Sequence, residues 1–248
     1  MTAFLCELKK SRRRWDWLVV AGIPLCVLLW ASGGAPASGD ERASYYSSLL
    51  YVLPVLHTVV MPVGMAALAS RLWDAETKGC TAKLLYTLQT RASLYGAKTA
   101  LGAVYLTAVV ALEMAGLLGM GRLSGVTEPP DVSRLAWTAL STLAVDALLF
   151  LAGSFLCIRF GQTLLVMGVG LACSLCGLFA AYMPLQFAYF VPFSYFLPLS
   201  CVGLDWNFET RSGSYYALPF QLPMLALTAA LAVLLLALGW QAVQKKEV

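Results

Sequence analysis

The chain has 248 residues, 60% of them hydrophobic and 12% charged, with a net charge of +4 and a mean hydropathy of +0.75. A soluble domain carries about twice that share of charged residues, so the composition excludes one and points to an integral membrane protein. At about 20 residues per span, six helices and their loops use up the length, which leaves no room for a soluble catalytic domain.

Residues 2–16 place Phe4, Leu5, Leu8 and Trp15 on one side and Lys9, Lys10, Arg12, Arg13 and Arg14 largely elsewhere. That pattern predicts an amphipathic helix over 1–16 lying in the membrane interface. A cleavable signal peptide would also open on positive charge, with Ala31, Ser32 and Gly33 behind its apolar run. The length and amphipathicity of the basic stretch favour retention. A first span is expected over 17–37, interrupted by Pro24, and a second over 49–70, where Pro54, Pro62 and Gly64 predict a kink.

The stretch 71–98 is the one long polar interruption. It holds Arg71, Lys78, Lys83, Arg91 and Lys98 against Asp74 and Glu76, and basic loops stay on the cytoplasmic side. Past Gly79, Leu84, Leu85 and Leu88 fall on one face at helical spacing beside Lys83. The interior of the loop therefore reads as a short amphipathic helix, either a docking surface for a cytoplasmic partner or an interfacial helix within a solvated loop.

A third span over 99–121 carries Glu113, and an outer loop over 122–134 contains Pro129 and Pro130. A fourth span over 135–158 carries Asp146, and a fifth over 163–183 is rich in Gly, Ala, Ser and Cys. Small residues let helices approach closely in lipid, which predicts a central position for the fifth. Over 184–221, Pro184, Pro192, Pro198 and Pro219 alternate with aromatics. Prolines at that spacing prevent one continuous helix, and aromatics favour the interface. The segment reads as an outer re-entrant or interfacial helical element followed by a polar loop with Asp205, Glu209 and Arg211. The alternative is a seventh span over 185–204, which would carry the final QKKEV outside. The last span is expected over 222–240.

In the six-span topology, thirteen of the seventeen Lys and Arg lie on the cytoplasmic side, the bias that orients membrane proteins. The same distribution argues against a nucleic-acid surface, which needs a basic patch on one exposed face. The seven cysteines fall mostly in spans or cytoplasmic segments, and Cys173 and Cys176 read as packing residues in an apolar helix. No GxxxxGK[ST], HExxH or GxSxG pattern occurs.

His57, Glu113 and Asp146 are the informative polar residues of the spans. A charged group inside a span costs a few kcal/mol even on insertion scales, so such groups face the bundle interior and find partners. At 1.5 Å per residue, Glu113 lies about 20 Å from the cytoplasmic end of its span, while Asp146 and His57 lie about 18 Å and about 12 Å below the outer ends of theirs. They read either as a substrate pathway or as interhelical hydrogen-bonding groups.

Several features of 71–98 resemble the first cytoplasmic loop of ABC-2-type permeases: the acid-x-x-Gly spacing of Glu76 and Gly79, Lys83-Leu84-Leu85, the turn at 90–93, and Ala97-Lys98 opening the next span. In those proteins the loop carries a coupling helix that sits on the ATPase subunit. The match extends in order and length over nearly the whole chain, and the chain is similar to the short six-span permeases of lantibiotic and bacteriocin immunity and of bacitracin-type resistance exporters. The resemblance implies a single all-α transmembrane permease domain over 1–248, with a coupling loop at 71–98 and a re-entrant region at 184–221. It assigns ATPase coupling to Glu76, Gly79, Lys83, Leu84, Leu85, Leu88 and Arg91. It further implies no cofactor in this chain, with ATP and Mg held by a partner ATPase in two copies, a second permease subunit that is identical or similar, and a peptide or amphipathic substrate expelled from the lipid. The protein would lie in the cell membrane with both termini cytoplasmic. The alternatives are an ABC-2 exporter of a drug, lipid or glycan, or a membrane enzyme or scaffold without an ATPase.

Overall fold

A computed structural model describes residues 2–33, 42–77, 90–207 and 212–245. The helices are α1 (Thr2–Arg13), α2 (Asp16–Ser32), α3 (Tyr45–Thr77), α4 (Arg91–Leu123), α5 (Val132–Phe160), α6 (Thr163–Tyr182), the single turn α7 (Leu185–Ala188) and α8 (Leu222–Lys245). A 3-10 turn at Pro192–Ser194 and an antiparallel hairpin, β1 (Val202–Asn207) and β2 (Ser212–Ala217), stand between α7 and α8. Among the described residues α3, α4, α5, α6 and α8 are long and apolar enough to cross a membrane. The pair α1 and α2, bent by 70° at the break between them, gives a sixth crossing when taken as one span. The fold is that of an all-α integral membrane protein.

Contacts between helix ends fix how the spans alternate. At one end Arg14 meets Arg71, Lys98 meets Glu7, Thr163 meets Asp74 and Arg91 meets the carbonyl of Gln244. This is the basic end. At the opposite, hairpin end the backbone N–H of Thr127 donates to Arg42, and Glu128 accepts from the backbone N–H groups of Tyr46 and Ser47 at 2.6 and 3.2 Å. Glu128 thus places a carboxylate on the N-terminus of α3, where unpaired donors and the helix dipole favour one.

The centre is α3. It packs against α2, α4, α5, α6, β1 and the 3-10 turn, and Leu53, Met61, Met65 and Ala69 along it are fully buried. The fifth span, expected at the centre, is instead peripheral: Leu164, Leu171, Leu175 and Phe179 of α6 face outward. Its Gly170 and Gly177 serve the contact with α3. A Cβ on Gly170 would stand 2.6 Å from that of Ala66, and a Cβ on Gly177 would stand 2.6 Å from the carbonyl oxygen of Thr58. That carbonyl lacks its helical donor because Pro62 stands four residues on, and α3 continues through Pro54 and Pro62 without a break. Ser174 of α6 donates its hydroxyl to the neighbouring carbonyl of Val59.

Two further expectations change. Residues 71–77 and 91–98, read as loop, are the helical ends of α3 and α4, and Thr90 caps α4 by accepting from the Ser93 N–H at 3.3 Å. The segment after Pro184 does break into short helical pieces, as its prolines require, but the expected polar loop contains the hairpin, with Val202 opposite Ala217 and Asn207 opposite Ser212. No seventh helix spans 185–204.

Replacing Gly177 by Leu should force α6 off α3 and destabilise the protein by about 1–3 kcal/mol. Gly168, on the same helix, has open space where a Cβ would stand, so Gly168→Leu should leave the thermal unfolding temperature in detergent unchanged.

Candidate functional site

Two groups of polar residues stand out, one at the basic end and one inside the bundle. At the basic end Lys98, 1% exposed, places an ammonium among apolar side chains, and such a charge requires a close partner. Glu7 of α1, 2% exposed, accepts from Lys98 Nζ at 3.2 Å and from Lys10 Nζ at 2.6 Å. Lys98 also donates to the carbonyl of Leu72 and lies 5.3 Å from the Trp73 ring centroid. Burial pushes the Glu7 carboxyl up, yet the Lys98 and Lys10 charges outweigh it, and the group sits below the ordinary carboxylate value.

A second set of bonds joins the elbow between α1 and α2 to α3. Asp16 accepts from Arg71 Nε at 2.8 Å, and Arg14 Nη1 donates to the Arg71 carbonyl at 2.8 Å. Arg71 in turn donates to the Arg14 carbonyl. Trp15 at the elbow takes the left-handed conformation, with φ of 59°, uncommon for a residue with a Cβ.

Segment 78–89 is therefore flanked by two helix ends, Arg71 to Trp73 and Lys98, that are both tied to α1 and its elbow. Of the residues assigned to coupling, Gly79, Lys83, Leu84, Leu85 and Leu88 lie outside the described residues, and Glu76 falls in the last turn of α3. Arg91 opens α4 and donates to the carbonyl of Gln244 at 2.5 Å, which ties α4 to α8. Glu7, Asp16, Arg71 and Lys98 had not been singled out as partners. The available signal was that Glu7 and Asp16 are the only acids in the basic stretch 2–16.

Inside the bundle the structure brings His57 of α3 and Glu113 of α4 together, with a 2.5 Å hydrogen bond between Nε2 and Oε1. His57 is 1% exposed, and Glu113 and Asp146 are 0% exposed. Asp146, on α5, lies within electrostatic reach of Glu113. Among the described residues, Glu113 Oε2 and both Asp146 carboxyl oxygens have no hydrogen-bond partner. Phe196 covers His57 edge-on at 5.2 Å, and its segment is anchored by Trp137, whose indole N–H donates to the Leu199 carbonyl at 2.9 Å. Beside His57 a cavity of about 10 Å³, room for about one water, is lined by the hydroxyls of Thr138, Ser141, Thr142 and Ser200. Phe196 and these hydroxyls were not legible as site residues, because nothing in the sequence sets the rotation of α5 or the path of 184–221.

The geometry at Glu7 sets an expected pH dependence. Because its folded carboxyl lies below the unfolded value of about 4.3, its contribution is present above that pH and is lost as the pH falls through the folded value. Glu7→Gln should lower thermal stability at neutral pH by about 3 kcal/mol, since it strands a buried ammonium, and should flatten the acid limb of the melting profile. Adding Lys98→Met should recover part of the loss.

Residues 3–176, from α1 into α6, match the family model described as ABC-2 family transporter protein. No curated protein matches the chain.

Proposed function

The chain belongs to the ABC-2 transporter family, and from that premise we propose that it is the membrane-spanning subunit of an ATP-driven exporter that expels a cationic amphipathic peptide. The family is a membrane permease component that generally works with a separate ATPase. The reading adds two such ATPase subunits holding ATP and Mg, a second permease copy, identical or similar, and a place in the cell membrane close to the immunity and bacitracin-type resistance class. The basic end faces the cytoplasm in this reading, since most Lys and Arg are found there. Both termini are then cytoplasmic and the hairpin lies outside.

The observation that carries the substrate class is the set of carboxylate oxygens on Glu113 and Asp146 that have no partner among the described residues, in a part of the bundle where no described Lys or Arg stands. An amine or lysine of a peptide supplies the missing donors, while the apolar part of the peptide remains in lipid. Coupling follows from connectivity. Segment 78–89 joins α3 to α4, and these two helices share the His57–Glu113 bond, which lies about 30 Å along each helix from that segment. ATP-driven movement of 78–89 on the ATPase shifts α3 against α4, breaks the bond and uncovers the carboxylates.

Glu113→Gln and Asp146→Asn should preserve expression and basal ATP hydrolysis and weaken protection against cationic peptides by roughly tenfold, the worth of one charge-assisted hydrogen bond, with little effect on neutral ones. Equal loss for both kinds of peptide would favour an exporter of another substrate, such as a drug, lipid or glycan. For orientation, Ser212→Cys in a cysteine-free background should react with an impermeant thiol reagent on intact cells. Reaction only after lysis would reverse the assigned sides.

A further inference from the structure

Among the described residues, the elements packed around His57 supply no cation to balance the two buried acids. α6 has no Asp, Glu, Lys, Arg or His, and α2 and α8 carry charge only at the basic end, at Asp16 and Lys245. On α3 the charges with described side chains, Arg71 and Asp74, stand at the basic end. On α4, Arg91 and Lys98 stand there too, and Arg122 lies at the hairpin end; α5 has Arg134 and Arg159 at its two ends. The remaining titratable group near the cavity is the Cys201 thiol, 3.5 Å from the Thr138 hydroxyl. No three His, Cys, Asp or Glu side chains among the described residues are arranged to hold a metal ion.

With a neutral imidazole and two carboxylates, the cluster would carry two negative charges on side chains buried from solvent. Removing even one ion from water without a partner is strongly unfavourable, and three buried oxygens would stay without donors among the described residues. Two protons cancel that charge and supply one of the missing donors. One is shared between His57 Nε2 and Glu113 Oε1, and the other converts Asp146 from acceptor-only to a carboxyl with a donor of its own. We propose that His57, Glu113 and Asp146 form a proton-binding site that holds two protons while the bundle is closed and exchanges them with the hairpin end through the cavity beside His57. Each proton is taken from hydronium on that side, leaving water, and returns to water when the site empties. Ser141 and Ser200 donate their hydroxyls to the carbonyls of Thr138 and Val202 and keep acceptor oxygens, and with Thr138, Thr142 and one water in the cavity they offer protons a path to His57 that is too narrow for a larger ion. Separation of α3 from α4 breaks the His57–Glu113 bond, admits water and releases protons, so opening of the bundle is linked to proton release whatever cargo follows.

The test is infrared spectroscopy of the full-length permease in lipid nanodiscs. At neutral pH the carbonyl stretch of a protonated carboxyl should be present, shift in D₂O, and be lost in Asp146→Asn. Asp146→Glu, which retains a carboxyl should Asn disturb folding, should move the band rather than delete it. Thr138→Val, which removes one hydroxyl of the path at nearly constant volume, should slow its exchange in D₂O severalfold. Absence of the band in the wild type at neutral pH, or a band unchanged by both Asp146 variants, would overturn the site. Exchange at the wild-type rate in Thr138→Val would overturn the path from the hairpin end. None of these readouts depends on the exported substrate, so loss of peptide selectivity and loss of the proton site are separable.

Discussion

A helix enclosed on nearly all sides has to find a neighbour for each polar group it carries, and α3 is that helix here. In a bilayer no water substitutes for a missing partner. Its N-terminal N–H groups are met by Glu128, the carbonyl beside its Pro62 gap by Ser174, and its imidazole by Glu113. The Leu72 carbonyl is met by Lys98, Arg71 by Asp16, and Asp74 by the Thr163 hydroxyl at 2.8 Å. Neighbouring elements from α2 to α6 are thus positioned by what α3 requires, and the close approach of α6 at Gly177 follows from the same need.

This arrangement also gives the molecule a mechanical axis. The elbow of α1 and α2 holds the basic ends of α3 and α4, and the His57–Glu113 bond holds the same two helices deep in the bundle. Segment 78–89 connects the clamped ends in sequence, so in the proposed coupling a force applied there would reach the interior along α3 and α4. Packed interfaces of this kind switch between arrangements rather than deform continuously. A buried ion pair such as Glu7–Lys98 suits that role: it is strong when complete and strongly unfavourable when one partner leaves.

The spans were legible because each is an apolar run of near-bilayer length, and the depth of Glu113, Asp146 and His57 followed from counting residues. Helix ends were not legible at 71–77 and 91–98, where charged residues look like a loop until Lys98 and Arg71 are seen buried or bridged by α1 and its elbow. Small residues in α6 announced a close contact but not how many sides of the helix had one. The hairpin was hidden by Asp205 and Arg211, charges that read as a loop, although Val202, Trp206, Tyr215 and Tyr216 are strand-forming residues. Which faces of α3, α4 and α5 meet depends on packing against α2 and α6, so the sequence offered His57 as a hydrogen-bonding neighbour of the two acids but did not say that Glu113 rather than Asp146 meets it.

In the proposed coupling a separate ATPase drives these helices through 78–89. Leu84 and Leu88 are apolar residues that the resemblance assigns to that contact, and changing both to Asp places two charges where a hydrophobic groove is expected. The measurement is co-purification of the ATPase with the membrane-inserted double variant. Release of the ATPase, with insertion and helix content unchanged, is the expected result. Retention of a bound ATPase with full activity would contradict the account.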